Sequence, residues 1–243
     1  MKLAPVVLFV YKRPEHTRHT IEHLKQNKLA SESDLFIFSE YPKTNEFAEQ
    51  VHIVRDFLKT ITGFKSVTVI ERPEFYGLAK SVISGVSEVL QTHNKVIVLE
   101  DDIITSKHFL EYMNDALDKF ENNLNVFSVT GFMYPPGLIK IYDEYNYDVC
   151  MLPRASSWGW GTWKNRWQKA DWEGKDFKSF ENSIELQKKY DSTGGDKSRM
   201  LINQMTGKLD SWAIRWDYTH YKNNAYGVFP TKSLINNTGL DQS

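Results

Sequence analysis

One cysteine, Cys150, is the only thiol in 243 residues, so no disulfide can form within the chain and a reducing compartment is permitted. An excess of either charge is also missing. Thirty basic residues stand against 31 acidic ones, a formal net charge of -1, and no long run of one sign offers a footprint for nucleic acid. Long apolar runs are lacking too: none approaches the roughly 20 residues that a membrane helix needs, and the amino terminus reads as a strand rather than a signal peptide. These absences suggest a soluble, cytoplasmic protein, with peripheral contact at the inner face of a membrane left open. A chain of this length can bury a large core, and one domain with a C-terminal elaboration is expected.

What is present is an alternation of strand and helix. The apolar, β-branched segment 4–11 ends at Lys12-Arg13-Pro14, and proline suits a first helical turn, so a helix is expected from Pro14 to about Lys28. A second strand, 34–39, turns at Ser39-Glu40-Tyr41-Pro42. Phe47, Val51, Val54, Leu58 and Ile61 then recur at helical spacing until Gly63. A third strand, 66–70, leads through Tyr76-Gly77 into a helix over 78–90. Another helix is expected over 106–120, and a strand over 126–130. Such alternation predicts a largely parallel α/β sheet covered on both faces, with right-handed crossovers. After Gly131 the regularity fades into the Pro135-Pro136-Gly137 loop and an aromatic, acidic stretch at 142–147.

Between these helices lies the run Lys95-Val-Ile-Val-Leu-Glu-Asp-Asp102, a strand fit for burial on both faces that stops in three consecutive carboxylates. At the carboxyl end of a central strand, where ligands of open α/β sheets bind, adjacent acids call for a partner: a hard cation such as Mg²⁺ or Mn²⁺, a sugar hydroxyl or a ribose. A solvated strand-to-helix turn is the plainer alternative, with Ser106 as the better cap of the next helix.

Two further clusters stand out. In Ala155-Ser-Ser-Trp-Gly-Trp-Gly-Thr-Trp163, tryptophans alternate with small residues, so Trp158 or Trp160 can offer an indole face to a sugar ring, or else fill a core turn. The stretch 191–197, with Gly194-Gly195, reads as an exposed loop. In Leu209-Asp-Ser-Trp-Ala-Ile-Arg-Trp-Asp217, Asp210 falls at the start of a helix, as a cap or as a carboxylate offered to something above the helix end. Tyr226–Phe229 reads as a strand, 230–239 as a polar loop, and the end at Ser243 suggests a shortened chain.

In this order, Val10-Tyr-Lys-Arg-Pro14, Phe38-Ser39-Glu40, Tyr76-Gly-Leu-Ala-Lys-Ser81, Val98-Leu-Glu-Asp-Asp102, Trp158-Gly-Trp-Gly-Thr-Trp163 and Asp210-Ser-Trp212 resemble GT-A-fold glycosyltransferases. They are similar to N-acetylglucosaminyltransferase I type enzymes and to bacterial family-2-like sugar transferases. The resemblance implies a GT-A (Rossmann-like), mostly parallel central sheet flanked by helices in three layers. Residues 1–130 would form the donor half, and 131–243 the acceptor half of the same domain. It implies a hexosyl- or N-acetylhexosaminyltransferase that takes a nucleotide sugar, with UDP favoured, and a glycan, glycolipid or glycoprotein acceptor. Asp102 would bind Mn²⁺ or Mg²⁺, Glu100 and Asp101 would contact the ribose or sugar, and Glu40 would meet the uracil edge. Lys12 and Arg13 would line the nucleotide, and Lys80 would reach sugar or phosphate. Asp210 would be the base. Because Ser211 stands where the eukaryotic enzymes carry a second acid, Asp217 is the other candidate. A sugar nucleotidyltransferase and a non-catalytic carbohydrate-binding protein remain as alternatives. The first normally has a glycine-rich basic loop near its start, which Tyr11-Lys-Arg-Pro14 is not, and the second gives the three acids no purpose.

Overall fold

A computed structural model describes residues 2–239. Strand and helix alternate through the first half as β1 (Val6–Val10), α1 (Pro14–Lys25), β2 (Asp34–Ser39), α2 (Ala48–Leu58), β3 (Ser66–Glu71), α3 (Leu78–Thr92), β4 (Lys95–Glu100), β5 (Ile103–Thr105), α4 (Phe109–Lys119) and β6 (Val126–Thr130). The second half adds β7 (Val149–Leu152), β8 (Trp160–Trp163), α5 (Lys164–Trp167), α6 (Phe177–Glu181), α7 (Ile184–Asp191), α8 (Lys197–Met205), α9 (Trp212–Lys222), β9 (Tyr226–Pro230) and β10 (Ile235–Asn237). Pro14 occupies the first position of α1, where its missing N–H costs no helical bond.

The protein is an α/β protein built on a mixed, mostly parallel sheet of order β3-β2-β1-β4-β8-β6-β9-β7. From β3 to β4 all pairings are parallel, β8 runs antiparallel between β4 and β6, and β7 runs antiparallel on the edge next to β9. Successive side chains of β1 serve opposite faces. Val6, Leu8 and Val10 meet Ile21 and Leu24 of α1, Val54 and Leu58 of α2, and the stripe of α4 from Phe109 to Leu117. Val7 and Phe9 meet Val82, Val86 and Val89 of α3 and, through the tryptophans, α5 and α9. Helices therefore cover both faces, in three layers. A smaller cluster, Phe180, Tyr190, Leu201 and Ile214, holds α6, α7 and α8 against α9.

Several expectations change here. The tryptophan stretch supplies β8, a strand buried along its whole length, with Trp160 turned to the α3 side and Trp163 to the α4 side. A strand from the second half thus sits at the sheet's centre. The helix expected from Ser106 starts at Phe109, because Ile103–Thr105 first pairs with Ile235–Asn237. Ser106 consequently caps nothing, and its hydroxyl has no partner among the described residues. The tail read as a polar loop contains β10. The stretch 191–197 is a turn between two helices, and Lys197 at its end is buried. The last four residues, on which the expectation of a shortened chain bears, lie outside the described residues.

Candidate functional site

Registration of the parallel strands sets the site. Phe9 pairs with Glu100 and Val10 with Ser39, while Ser39 pairs with Glu71, so β1, β2, β3 and β4 finish at one level. The loops that leave them bring Lys12, Arg13, Glu40, Glu100 and Asp101 into the lining of one cavity of about 330 Å³, floored by Phe9 and closed on the α3 side by Leu78, Ser81 and Val82. Residues far apart in sequence converge because the strands are parallel and end together.

Arg13 is the counter-ion of the acids. Its Nη2 donates to Asp101 Oδ1 and, at 3.0 Å, to Asp102 Oδ2. Burial works against its charge, yet the two carboxylates outweigh burial and raise its pKa above the ordinary arginine value. Asp101 is buried, and burial lifts its carboxyl above the usual range even with Arg13 opposing. Glu100 is pushed up to about 8 by burial first and then by the charges of Asp102 and Asp101, so it is mostly protonated at neutral pH. The Trp212 indole N–H donates to Glu100 Oε1 at 3.3 Å. Three acids in a row therefore share a smaller charge than the sequence suggests.

Asp102 lies at the edge of this cavity, half-buried beneath the tail. Thr238 donates its N–H (2.9 Å) and hydroxyl (3.1 Å) to the Asp102 carbonyl. A Cβ on Gly239 would collide with Asp102 Oδ2, so any larger residue there would push the Asp102 carboxylate aside. No group of three His, Cys, Asp or Glu side chains encloses a metal site among the described residues. A Mg²⁺- or Mn²⁺-type ion does not require one: such ions commonly take one or two carboxylates and complete their shell with substrate phosphates and water. The donor chemistry at Asp102 fits that pattern.

Glu40 is buried, and its Oε1 accepts the N–H groups of Tyr41 (2.9 Å) and Tyr76 (3.1 Å). Its Oε2 is closed off from solvent and has no partner among the described residues. Arg55, which the sequence reading passed over, holds this corner: it donates to Ser39 Oγ (3.3 Å) and to the carbonyls of Glu40 (3.2 Å) and Arg72 (3.3 Å). The available signal was a cation one position from Val54 on the apolar face of α2. Lys12 leans over the Phe47 ring, its Nζ 3.5 Å from the centroid.

Asp210 meets the site from the other half. Ser211, not Asp210, caps α9, accepting from Ile214 N–H at 3.4 Å. Asp210 Oδ1 instead accepts from Ala79 N–H at 3.3 Å and so caps α3, whose own preceding residue is Gly77 at φ +77° with no side chain to do so. Asp210 is exposed. Asp217, the other candidate, is buried and occupied: Ala155 N–H (2.9 Å) and Lys197 Nζ (3.1 Å) on Oδ1, Tyr190 OH (2.8 Å) and Lys197 Nζ (2.8 Å) on Oδ2. A carboxylate so filled has no lone pair left for a substrate proton.

Two expected residues lie elsewhere. Lys80 is on the outer side of α3, 3.4 Å from Glu74 and over the Tyr76 ring, and does not line the cavity. Trp160 is wholly buried, its ring centroid 4.8 Å from that of Trp212 and 5.6 Å from that of Trp167. Stacked indoles stabilise a core by about 0.5–1.5 kcal/mol per pair beyond their buried area, which is why Trp160 packs inward rather than toward a ligand. Trp158 is half-exposed and lines a second, larger cavity of about 660 Å³ that Trp212 borders as well.

No protein-family model matches the chain, and no curated protein matches it. Among solved structures it is similar to the mannosyltransferase PcManGT from Pyrobaculum calidifontis in complex with GDP-Man and Mn²⁺, at 13% identity and a TM-score of 0.46. That similarity covers 66% of this chain and 44% of the other, so the chain spans less than half of that structure's length.

Proposed function

We propose that the chain is a metal-dependent, inverting GT-A glycosyltransferase that moves a sugar from a uridine-diphosphate donor to a hydroxyl of a glycan, glycolipid or glycoprotein. The observation that carries this reading is the cavity at the level ends of β1, β2 and β4, where cations, an acid cluster and a carboxylate oxygen without a partner converge. Each matches one part of a nucleotide sugar.

Glu40 takes the base. One of its oxygens already serves two backbone N–H groups, so a single acceptor remains. Uracil offers a single ring N–H, which suits one oxygen. Guanine offers two adjacent donors, which would call for both oxygens. Glu100 and Asp101 take ribose or sugar hydroxyls, and Glu100, protonated at neutral pH, can donate as well as accept there. Lys12 and Arg13 face the diphosphate. A Mn²⁺ or Mg²⁺ ion on Asp102, completed by phosphate oxygens and water, would supply Lewis-acid stabilisation of the leaving diphosphate. Asp210, with Oδ1 held by the start of α3, takes the acceptor's proton on Oδ2 as the hydroxyl oxygen attacks the anomeric carbon and the bond to the diphosphate breaks. One displacement inverts that carbon. The half up to residue 130 holds the donor and the half from 131 the acceptor, with Trp212 between them.

The test is incubation with a panel of nucleotide sugars and Mn²⁺, with wild type compared against Asp210→Asn. Wild type is expected to release nucleoside diphosphate, and the variant, whose amide oxygen still caps α3, to lose about 10²–10⁴-fold in rate while binding donor as before. Full turnover in the variant rejects Asp210 as the base. Pyrophosphate made from nucleoside triphosphate and sugar phosphate would replace the transferase with a nucleotidyltransferase, and no product from any donor would leave a binding protein.

A further inference from the structure

The cavity beyond Trp212 contains a cation that no ion pair balances among the described residues. Its walls come from the segment after β6, the segment after β7, the turn before α8, and α9. Two of its charges cancel each other: Lys197 Nζ lies 2.8 Å from Asp217 Oδ2 and gives a further bond to Thr193 Oγ1 at 2.9 Å. Asp217, filled as described above, has nothing left for a second cation. Asp196 on the rim is exposed, with Arg199 at 3.7 Å. Arg154 is left over. Its guanidinium lies 4.7 Å from the centroid of the Tyr134 ring, its Nε is closed off from solvent, and it has no hydrogen-bond or ion-pair partner among the described residues.

Holding an arginine head half out of water without a counter-ion is costly unless a ligand supplies one. A guanidinium fork backed by an aromatic ring matches the two oxygens of a carboxylate or phosphate. The rest of the wall is aromatic and apolar: Trp158 packs edge-on to Phe132 with centroids 4.6 Å apart, and Leu138 stands at the mouth. Such a surface covers the apolar side of a sugar ring. Trp212 lines this cavity and bonds Glu100 in the lining of the other, so one hydrogen bond links the two, and Asp210 precedes that residue by two positions.

We propose that this cavity receives an acidic acceptor, a sugar bearing a carboxylate or a phosphate, with the anion on Arg154 and the ring against Trp158. That the bound sugar is an acceptor rests on the transferase reading; that it is anionic rests on the cavity alone. Positive charge kept for one ligand group discriminates against neutral analogues, which leave the guanidinium unpaired.

Three probes that differ only at C6 test this: methyl glucoside, methyl glucuronide and methyl glucoside 6-phosphate, titrated into the full chain by NMR without any nucleotide sugar. At least one anionic probe is expected to bind roughly tenfold to a hundredfold more tightly than the glucoside. Whichever anion wins identifies a uronic-type carboxylate or a phosphate as the natural group. Arg154→Met should bring all three to within about twofold, and Arg154→Lys should keep part of the preference, with melting temperatures reporting that both variants fold. Equal binding of acidic and neutral probes, binding of none, or a preference that survives in Arg154→Met overturns the proposal. The last outcome would mean that Lys12 and Arg13 in the donor cavity hold the anion. A chain that prefers the anion yet releases no diphosphate keeps this pocket and loses the transferase reading; one that transfers sugar without preference loses only the pocket.

Discussion

On the proposed reading, Glu40 sets the choice of base. A buried carboxylate with one unpartnered oxygen would select by counting donors, and the count depends on the two backbone N–H groups that take up its other oxygen. Glu40→Gln keeps an oxygen for Tyr41 and Tyr76 but turns an amide NH₂ toward the ligand, so a donor would face a donor. Uridine diphosphate affinity should fall by about 1.5–3 kcal/mol, or roughly ten- to a hundredfold, with little change in folding. Calorimetric titration of both proteins measures it, and equal affinities would remove Glu40 from the base site. Glu40 was legible in the sequence as an acid at a strand end. Arg55 was not, because an arginine on a helix face reveals its partner only once β2 and β3 are placed beside it.

Among the elements, α9 does the most joining: its start lies by Glu100, its Asp217 anchors the Lys197 turn, and its His220 reaches β6. His220 is fully buried, with Nδ1 3.0 Å from the Trp216 carbonyl and Nε2 2.8 Å from Ser128 Oγ. Nδ1 must donate to that carbonyl, so Nε2 accepts from the serine. Burial holds its pKa down at about 4 from an ordinary 6.5. Between those values the unfolded chain binds a proton that the native protein refuses, so stability falls as pH falls, by about 1.4 kcal/mol per unit and roughly 3 kcal/mol over the window. Glu100 pulls the other way: raised from 4.5 to about 8, it binds a proton in the native protein first, and stability from this group grows as pH falls through that range. Comparison with His220→Gln isolates the histidine. In urea unfolding at pH 7 and pH 5, the variant should start less stable and lose less on acidification, and identical losses would show that His220 does not carry the effect.

For the whole molecule, a donor bound as proposed would couple to stability, because β1, β4, the start of α3, the start of α9 and the tail all meet around that cavity and Asp102. Uridine diphosphate with Mn²⁺ at about 100 times its dissociation constant should add about 2.7 kcal/mol, a rise of roughly 5–11 °C in melting temperature for a chain of this size. Chelation of the metal, or Asp102→Ala, should remove most of that rise. A shift of equal size with metal absent would mean that Arg13 alone neutralises the diphosphate and that no ion is used. Among the described residues no helix is long and apolar enough to cross a membrane.

Local pattern was enough to determine the elements of the first half, apart from β5 and the start of α4, and the acids, cations and turns at their ends. There each strand and helix follows from its own apolar period, its proline or its glycine, and a parallel sheet must bring such strand ends to one edge. Contacts between distant segments decided the rest. Tryptophan alternating with glycine suits a sugar platform and a buried strand equally well, and only the place of β8 between β4 and β6 put Trp160 in the core while leaving Trp158 at a cavity. Asp210 and Asp217 are the same residue type seven positions apart, yet one caps a neighbouring helix with an oxygen left open and the other is filled by four contacts from three donor groups. Arg154 carries no local signal at all, because whether a charge has a partner depends on which other charges packing brings within reach.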